Sequence, residues 1–427
     1  MRRNQQPAPY NSCHSQTEIM KTLDTIATRG AALMMTATAF SASWGVTTLI
    51  GGISLFRALA FATLTILIFD ALRKRQMAKL ESVEIGIALL WIWCLLSLLW
   101  SLDSALSSAQ IFGTSLLAFL IFVATLRLSV FPKYWKSIGL FYVLGCVVAS
   151  LIVVTSAVSF AAGGEGDDRA TVGELNANYI AYAIATSIAM ALTLHNYQSK
   201  RWYVNLAALL YVPLAISAIL LTGSRGAMMA GGAAVLLYFL LSIKRQFVLS
   251  VASIALACAG IYFLFDYLPD SVRDRMAFFS EAISQFGDTV DLSGREYIWP
   301  LATQLFFENI FSGIGFGAFR AANGDGIAVH NVILTMAAET GLPGLILFSF
   351  TVLAVFWRVI FKSPNPEVRK GGLLLLVTWV PIAMTGVWEA SAVAWMAFGW
   401  YFGASKHPYE PSEQQDGRRQ RRLRIQW

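Results

Sequence analysis

Residues 138–160 read IGLFYVLGCVVASLIVVTSAVSF, and no side chain among them carries a charge. A helix over this stretch rises about 1.5 Å per residue and reaches about 34 Å, enough to cross a hydrocarbon core roughly 30 Å thick. A helix apolar on every side lies in lipid or in the centre of a bundle. Working outward, Ile85 to Trp100, Ile111 to Leu126 and Phe247 to Phe265 are free of charge in the same way. The whole chain of 427 residues is 56% hydrophobic and only 13% charged, where a soluble domain carries about 25% charged residues. The fold class expected is therefore all-α integral membrane, with about twelve transmembrane helices.

The apolar blocks place spans at roughly 31–49, 53–70, 82–101, 108–126, 138–160, 178–194, 203–221, 226–242, 247–265, 343–361, 372–387 and 390–404. The chain then divides into an N-terminal arm over 1–30, helices over 31–265, an extramembrane segment over 266–330, further helices over 331–404 and a basic tail over 405–427. The first thirty residues are polar and contain no apolar core of a signal peptide. Of the four cysteines, Cys94, Cys146 and Cys258 lie inside apolar blocks and Cys13 in the arm, so no disulfide framework is expected.

Twelve spans leave both termini on one side. That side holds 25 of the 32 basic residues and 9 of the 25 acidic ones, a balance of +16; the other side holds 7 and 16, a balance of −9, and the two recover the net charge of +7. The excess of lysine and arginine marks the first side as cytoplasmic. The basic tail, with Arg418, Arg419, Arg421, Arg422 and Arg424, reads as an orientation signal and a contact for anionic membrane lipids. Nucleic acid is not expected as a partner.

All ten lysines fall on the cytoplasmic side, and the seven outer basic residues are all arginine: Arg57, Arg169, Arg225, Arg273, Arg275, Arg295 and Arg320. Arginine presents a planar fork that holds phosphate oxygens in pairs and never loses its charge. Outward arginines on a locally acidic face suit a diphosphate. Arg225 lies in Leu221-Thr222-Gly223-Ser224-Arg225-Gly226 between two apolar spans. The glycines permit a tight turn, and a helix beginning near Ala227 points its N-terminus at the same place, which makes an anion cradle. The plainer alternative is an arginine that reaches for water from a tight turn. His330 is the one outer histidine of four; it opens a helical stretch through Ala338, followed by Glu339-Thr340-Gly341-Leu342-Pro343-Gly344. A pKa near 6.5 suits it to accept a proton, although a histidine at a helix start is often a surface or capping residue.

Glu165, Asp167 and Asp168 cluster in a glycine-rich loop over 161–177, which reads as a solvated loop in preference to a metal site. Neither a nucleotide-binding glycine loop nor a serine hydrolase signature is present, so no metal and no cofactor is expected.

Four stretches together resemble the O-antigen ligase and O-antigen polymerase superfamily of bacterial lipid-linked glycan transferases. They are Asp168 to Asn178; Thr222-Gly223-Ser224-Arg225-Gly226; Ser293-Gly294-Arg295-Glu296-Tyr297-Ile298-Trp299 with Gly313-Ile314-Gly315-Phe316-Gly317; and His330-Asn331 with Glu339 to Gly344. The resemblance covers roughly residues 165–350, and it departs from the family at Ala177, where many relatives carry proline, and in the stretch Asn309-Ile310-Phe311-Ser312, which lacks the proline often found there. It implies a periplasmic active site, undecaprenyl diphosphate as the carrier of the donor glycan, and lipid A-core or another glycan as acceptor. It also implies an inverting, metal-free transfer. His330, Arg225, Arg295 and Glu339 are the catalytic candidates: the arginines clamp the diphosphate, His330 takes or aligns the acceptor proton, and Glu339 orients His330. Arg169, Asn178, Ser224 and Asn331 are the further substrate-binding candidates. The segment 266–329 would form a lid and acceptor platform. A ligase and a polymerase share this chemistry, and a protein O-glycosylating ligase is a third form of it. A lipid-linked glycan transporter is the alternative of another class, but no internal repeat is visible and the polar groups gather on one face. A structural scaffold would leave the arginine–histidine set without a use.

Overall fold

The computed structural model describes residues 26–44, 54–74, 79–161, 176–198, 202–241 and 295–408, with the single positions 255 and 259. Arg169, the acidic loop, the expected span 247–265, residues 266–294 and both termini lie outside the described residues. The described chain is helical, with no β-strand. We label the helices α1 (Ile26–Ser41), α2 (Leu55–Lys74), α3 (Ser82–Leu96), α4 (Ser104–Gln110), α5 (Leu116–Ser129), α6 (Pro132–Ala161), α7 (Ala177–Gln198) and α8 (Trp202–Leu221). Then come α9 (Arg225–Leu241), α10 (Arg295–Glu308), α11 (Val332–Trp357), α12 (Pro366–Thr385) and α13 (Ala392–Ala404).

Among the described residues seven helical segments are long and apolar enough to cross a membrane: Leu55–Arg73, Ser82–Leu99, Ser104–Ser129, Pro132–Ser156, Ala177–Tyr197, Val332–Lys362 and Pro366–Thr385. Two shorter apolar helices, Leu210–Leu221 and Arg225–Leu241, accompany them. Their outer faces carry apolar stripes at helical spacing, such as Ile346, Phe350, Leu353 and Trp357 on α11 and Ile85, Leu89, Ile92 and Leu96 on α3, all exposed. Such stripes are a liability in water and ordinary against lipid tails. The chain is an all-α, multi-pass membrane protein.

The centre of the bundle is α13, in which every residue from Val393 to Ala404 is buried. Gly399 and Gly403, four apart, let α5 come close: a Cβ on Gly399 would stand 2.5 Å from the Phe122 carbonyl oxygen, and one on Gly403 2.7 Å from that of Leu126. Small residues at this spacing are how membrane helices gain dispersion contact where no hydrophobic effect drives them together. Trp395 meets Phe119, Phe122, Phe348 and Phe398 edge to face, with centroids 5.1 to 6.2 Å apart. Around this core, α7 packs on α12, α6 on α7 and α8, α3 on α11, and α1 on α2 and α6.

The helices alternate in direction, so the bundle has two polar ends. At one, Arg127 pairs with Glu84, Lys406 Nζ with Glu81 at 2.6 Å, and the His407 ring with the Ser129 carbonyl at 2.8 Å. At the other lie the C-terminus of α12, the start of α9, the start of α10 and the start of α11.

Candidate active site

The Thr222–Gly226 stretch forms the expected turn. Gly223 has φ 63°, in the left-handed region that favours glycine, and α9 begins at Arg225, two residues earlier than the sequence suggests. Thr222 and Ser224 are buried and Arg225 is half-buried. Ser224 is 2% exposed, and its Oγ has no hydrogen-bond partner among the described residues. A Cβ on Gly226 would stand 1.9 Å from Thr385 Oγ1 and 3.2 Å from the Tyr182 hydroxyl. Only a glycine allows this approach.

Thr385 is the meeting point. As the last residue of α12 it has an open carbonyl, which accepts from the Tyr182 hydroxyl at 3.0 Å and from Arg295 Nη2 at 3.2 Å. A cation at a helix C-terminus is favoured by the partial negative charge of the last carbonyls. The turn holding Arg225, the first residue of α10 and the phenol of α7 therefore converge on one threonine. Neither Tyr182 nor Thr385 stands in a recognisable motif; each reads as one more residue of an apolar span.

Helix α10 is held over this end by a small second core. Ile298, Ala302, Ile314, Ala318, Phe319, Val329 and Ala338 are buried together, with Trp299, Leu305 and Leu334 packed on them. The Trp299 indole donates to the Val329 carbonyl at 3.0 Å, one residue before His330. This bond ties the helix that carries Arg295 to the strand of chain that carries His330. Asn331 caps α11, its Oδ1 accepting from the Ile333 and Leu334 amides at 3.0 and 3.1 Å. His330 itself has φ 54°, the one positive φ outside glycine among the described residues. For a non-glycine residue that conformation is uncommon and is held in place by its surroundings.

His330 is half-buried, and its pKa is lowered from the usual 6.5, first by burial and then by the charges of Arg295 and Arg320. The imidazole is therefore neutral at neutral pH, the form that accepts a proton. Glu339 lies about two turns along α11 but does not reach His330: no hydrogen bond joins them among the described residues. Its carboxylate accepts instead from the Gly317 amide at 2.8 Å and the Phe319 amide at 3.2 Å.

That contact belongs to a larger seam. Helix α11 breaks at Gly341, where φ is 65° and ψ −170°. The freed groups find partners in the loop after α10: the Ala338 carbonyl takes the Ile314 amide at 3.0 Å, the Glu339 carbonyl takes the Gly315 amide at 2.9 Å, and the Leu342 amide donates to Ile310 at 2.6 Å. Trp93 Nε1 donates to the Thr340 carbonyl at 2.8 Å and Trp100 Nε1 to the Ser312 carbonyl at 2.9 Å. A broken membrane helix is tolerated when neighbours satisfy its backbone in this way.

One further acidic group was not foreseen. Glu389, between α12 and α13, is 4% exposed, and its Oε2 has no hydrogen-bond partner among the described residues. Burial raises its pKa to about 7, and the charge of Arg320 bears on it as on His330 and Glu339. A lone acid flanked by Gly386-Val387-Trp388 and Ala390-Ser391-Ala392 is a signal the sequence does contain. Asn178 sits half-buried in the first turn of α7, its amide bonded to Asn176 Oδ1 at 2.9 Å. Beside the cluster a groove of about 700 Å³ runs along α10, lined by Arg295, Trp299, Thr303, Phe307 and Leu334 among others. No three His, Cys, Asp or Glu side chains gather as a metal site among the described residues.

The arrangement offers two arginines beside a helix N-terminus and a neutral histidine. It can hold a phosphate group and accept a proton close by. No curated protein matches the chain. Residues 207–349, which include the Thr222–Gly226 turn, Arg295, His330 and Glu339, match the family model described as O-antigen ligase, and this match supports membership of the O-antigen ligase superfamily of membrane glycosyltransferases.

Proposed function

We propose that the protein is an O-antigen ligase-like glycosyltransferase. It moves a glycan from undecaprenyl diphosphate to a hydroxyl of lipid A-core, with inversion and without a metal. On this reading the chain spans the bacterial inner membrane about twelve times, both termini are cytoplasmic, and the cluster faces the periplasm under a lid formed by 266–330. The direction of the helices supports this: Thr385, Arg225 and His330 share one end, whereas Lys133, Lys362 and Lys370 lie at the other.

The observation that carries the proposal is Thr385, which brings the Arg225 turn and Arg295 into one place. The acceptor oxygen attacks the anomeric carbon from the face opposite the diphosphate. The new C–O bond forms as the C–O bond to the diphosphate breaks, and undecaprenyl diphosphate leaves with the electron pair. Arg225 and Arg295 hold the negative charge that grows on it, with Arg169 completing the clamp and Ser224 and Asn178 on the donor side. The acceptor proton passes to the neutral imidazole of His330 and then to water. Asn331 serves by capping the helix under His330, and Glu339 by holding the loop Gly313–Phe319 beside it.

The test uses purified protein in detergent with lipid-linked glycan and a chelator. Lipid A-core is offered in one tube and further lipid-linked repeats in a second. Product on lipid A-core that is lost in Arg225→Ala and His330→Ala is the expected result. Extension of the lipid-linked glycan alone would make the protein a polymerase with the same site. No product in either tube, from intact protein and authentic substrates, would overturn the proposal.

A further inference from the structure

The turn Phe319–Ala322 carries Arg320. Arg320 is exposed, and among the described residues its side chain makes no hydrogen bond or ion pair. An isolated arginine on a surface turn is ordinarily only solvated. Three features separate this one from that case.

Its base is fixed. Phe319 is 1% exposed within the small second core, and its amide is held by Glu339, as is that of Gly317. Arg320 lies near the cluster: Phe319, its neighbour in sequence, donates its amide to Glu339 at 3.2 Å, and the Arg320 charge bears on His330 and Glu389. Its surroundings also differ from those of the other two arginines. Arg225 and Arg295 are half-buried at the bundle's end, whereas Arg320 stands at the foot of an exposed loop that includes Gly324, Asp325, Gly326 and Ile327. The carboxylates nearest in sequence are engaged, Asp325 with the Tyr297 hydroxyl and Glu308 with the Gln304 side-chain amide, and Glu339 holds the two amides.

On the transferase reading a lipid-borne donor enters from the membrane and a saccharide acceptor from the water side. We infer that Arg320 is an acceptor-side specificity residue, binding an anionic group, phosphate or carboxylate, on the saccharide that presents its hydroxyl to His330. Phosphate and carboxylate are both bound by the fork of a guanidinium through paired hydrogen bonds. Arg225 and Arg295 are then left to the leaving diphosphate. Glu339 is the positioning residue that fixes the turn.

The experiment compares acceptor pairs that differ only in the anionic group. One pair is a phosphorylated saccharide and its phosphatase product; the other is a carboxylated saccharide and its reduced alcohol. The wild type is expected to favour the anionic member of at least one pair by about ten- to hundredfold in kcat/KM, mostly through the acceptor KM. Arg320→Gln should bring that ratio near one, and Arg320→Lys should keep part of it, since charge remains without the fork. The pair that shows the preference tells phosphate from carboxylate.

A second readout is the pH profile. The cations that bear on His330 are Arg295 from α10 and Arg320 from the turn; Glu339 of α11 is bound to amides, and Glu389 belongs to the loop between α12 and α13. Removing Arg320 should move the acid limb of the profile to higher pH. The inference is overturned if the wild type shows no preference in either pair, if Arg320→Gln keeps the preference, or if Arg320→Gln raises the KM of the donor. A wild type that transfers to neither acceptor would fail the transferase reading itself, a different result from any of these.

Discussion

Gly226→Ala tests the geometry of the cluster with a single methyl group. The new Cβ would stand 1.9 Å from Thr385 Oγ1 and 2.8 Å from Thr385 Cβ, where ordinary contact begins at 3.4 Å. One of the two must retreat by roughly 1.5 Å in a packed interior. Thr385 is poorly placed to do so. Its Oγ1 donates to the Pro381 carbonyl at 2.6 Å and lies 3.2 Å from the Tyr182 hydroxyl, and its carbonyl holds Arg295. Overpacking of this kind costs about 1–3 kcal/mol, and the helix preference of alanine over glycine returns up to about 1 kcal/mol. The net loss of stability is therefore small, about 0–2 kcal/mol. The effect on rate is larger, because a displacement of about 1 Å in a reacting site costs on the order of a hundredfold.

The assay is glycan transfer in detergent together with thermal unfolding of the same preparation. Gly232, on the same helix, supplies the control. It is exposed and a Cβ there meets nothing within 4 Å, so Gly232→Ala should hold or slightly raise stability and leave turnover alone. Thr385→Ala added to Gly226→Ala removes the closest atom and should restore part of the rate, a coupling that separate sites do not show. Wild-type turnover in Gly226→Ala would refute the contact between the turn and α12, and with it the convergence on Thr385.

Three other perturbations have defined outcomes. The lowered pKa of His330 requires that activity fall with slope one below a midpoint under 6.5 and stay level above it, until another group titrates; an acid limb centred well above 6.5 would remove His330 as the base. Glu339→Ala leaves the Gly317 and Phe319 amides without their acceptor, at about 1–3 kcal/mol each. Amide hydrogen exchange should quicken across 313–319 with the bundle intact, and unchanged protection there would show that the carboxylate is not the latch. At the opposite end, Glu84 has a side chain only 2% exposed and pairs with Arg127; Arg127→Ala should cost about 3–5 kcal/mol of stability through the charge left behind, and an unchanged unfolding midpoint would mean that water reaches Glu84.

The helices were legible because lipid imposes a simple demand. Every long charge-free run that falls on described residues is a helix. The motifs also share one end of the bundle: Arg225, Arg295 and His330 all gather there. What holds them together was not legible. Thr385 and Tyr182 act through a carbonyl and a hydroxyl inside apolar spans, and hydropathy gives such residues no signal. The expectation for Glu339 assumed that a partner would come from its own helix. The structure instead brings a loop from some twenty residues upstream, because the break at Gly341 opens carbonyls that must find donors. Local spacing along a helix says nothing about which distant amides will arrive.

The seam along Gly313–Phe319 has an evolutionary consequence. Most of its contacts to α11 are made by main-chain amides, those of Ile314, Gly315, Gly317 and Phe319. A main-chain amide does not depend on the side chain beside it, proline excepted; of these four positions only Gly315 and Gly317, at φ 103° and 84°, must stay glycine to keep the path. Side chains at the open positions around it, such as Ser312 and Ala321, can drift while the loop keeps its path. A surface that keeps its shape while its chemistry changes lets a lineage alter what it recognises without rebuilding the site that reacts.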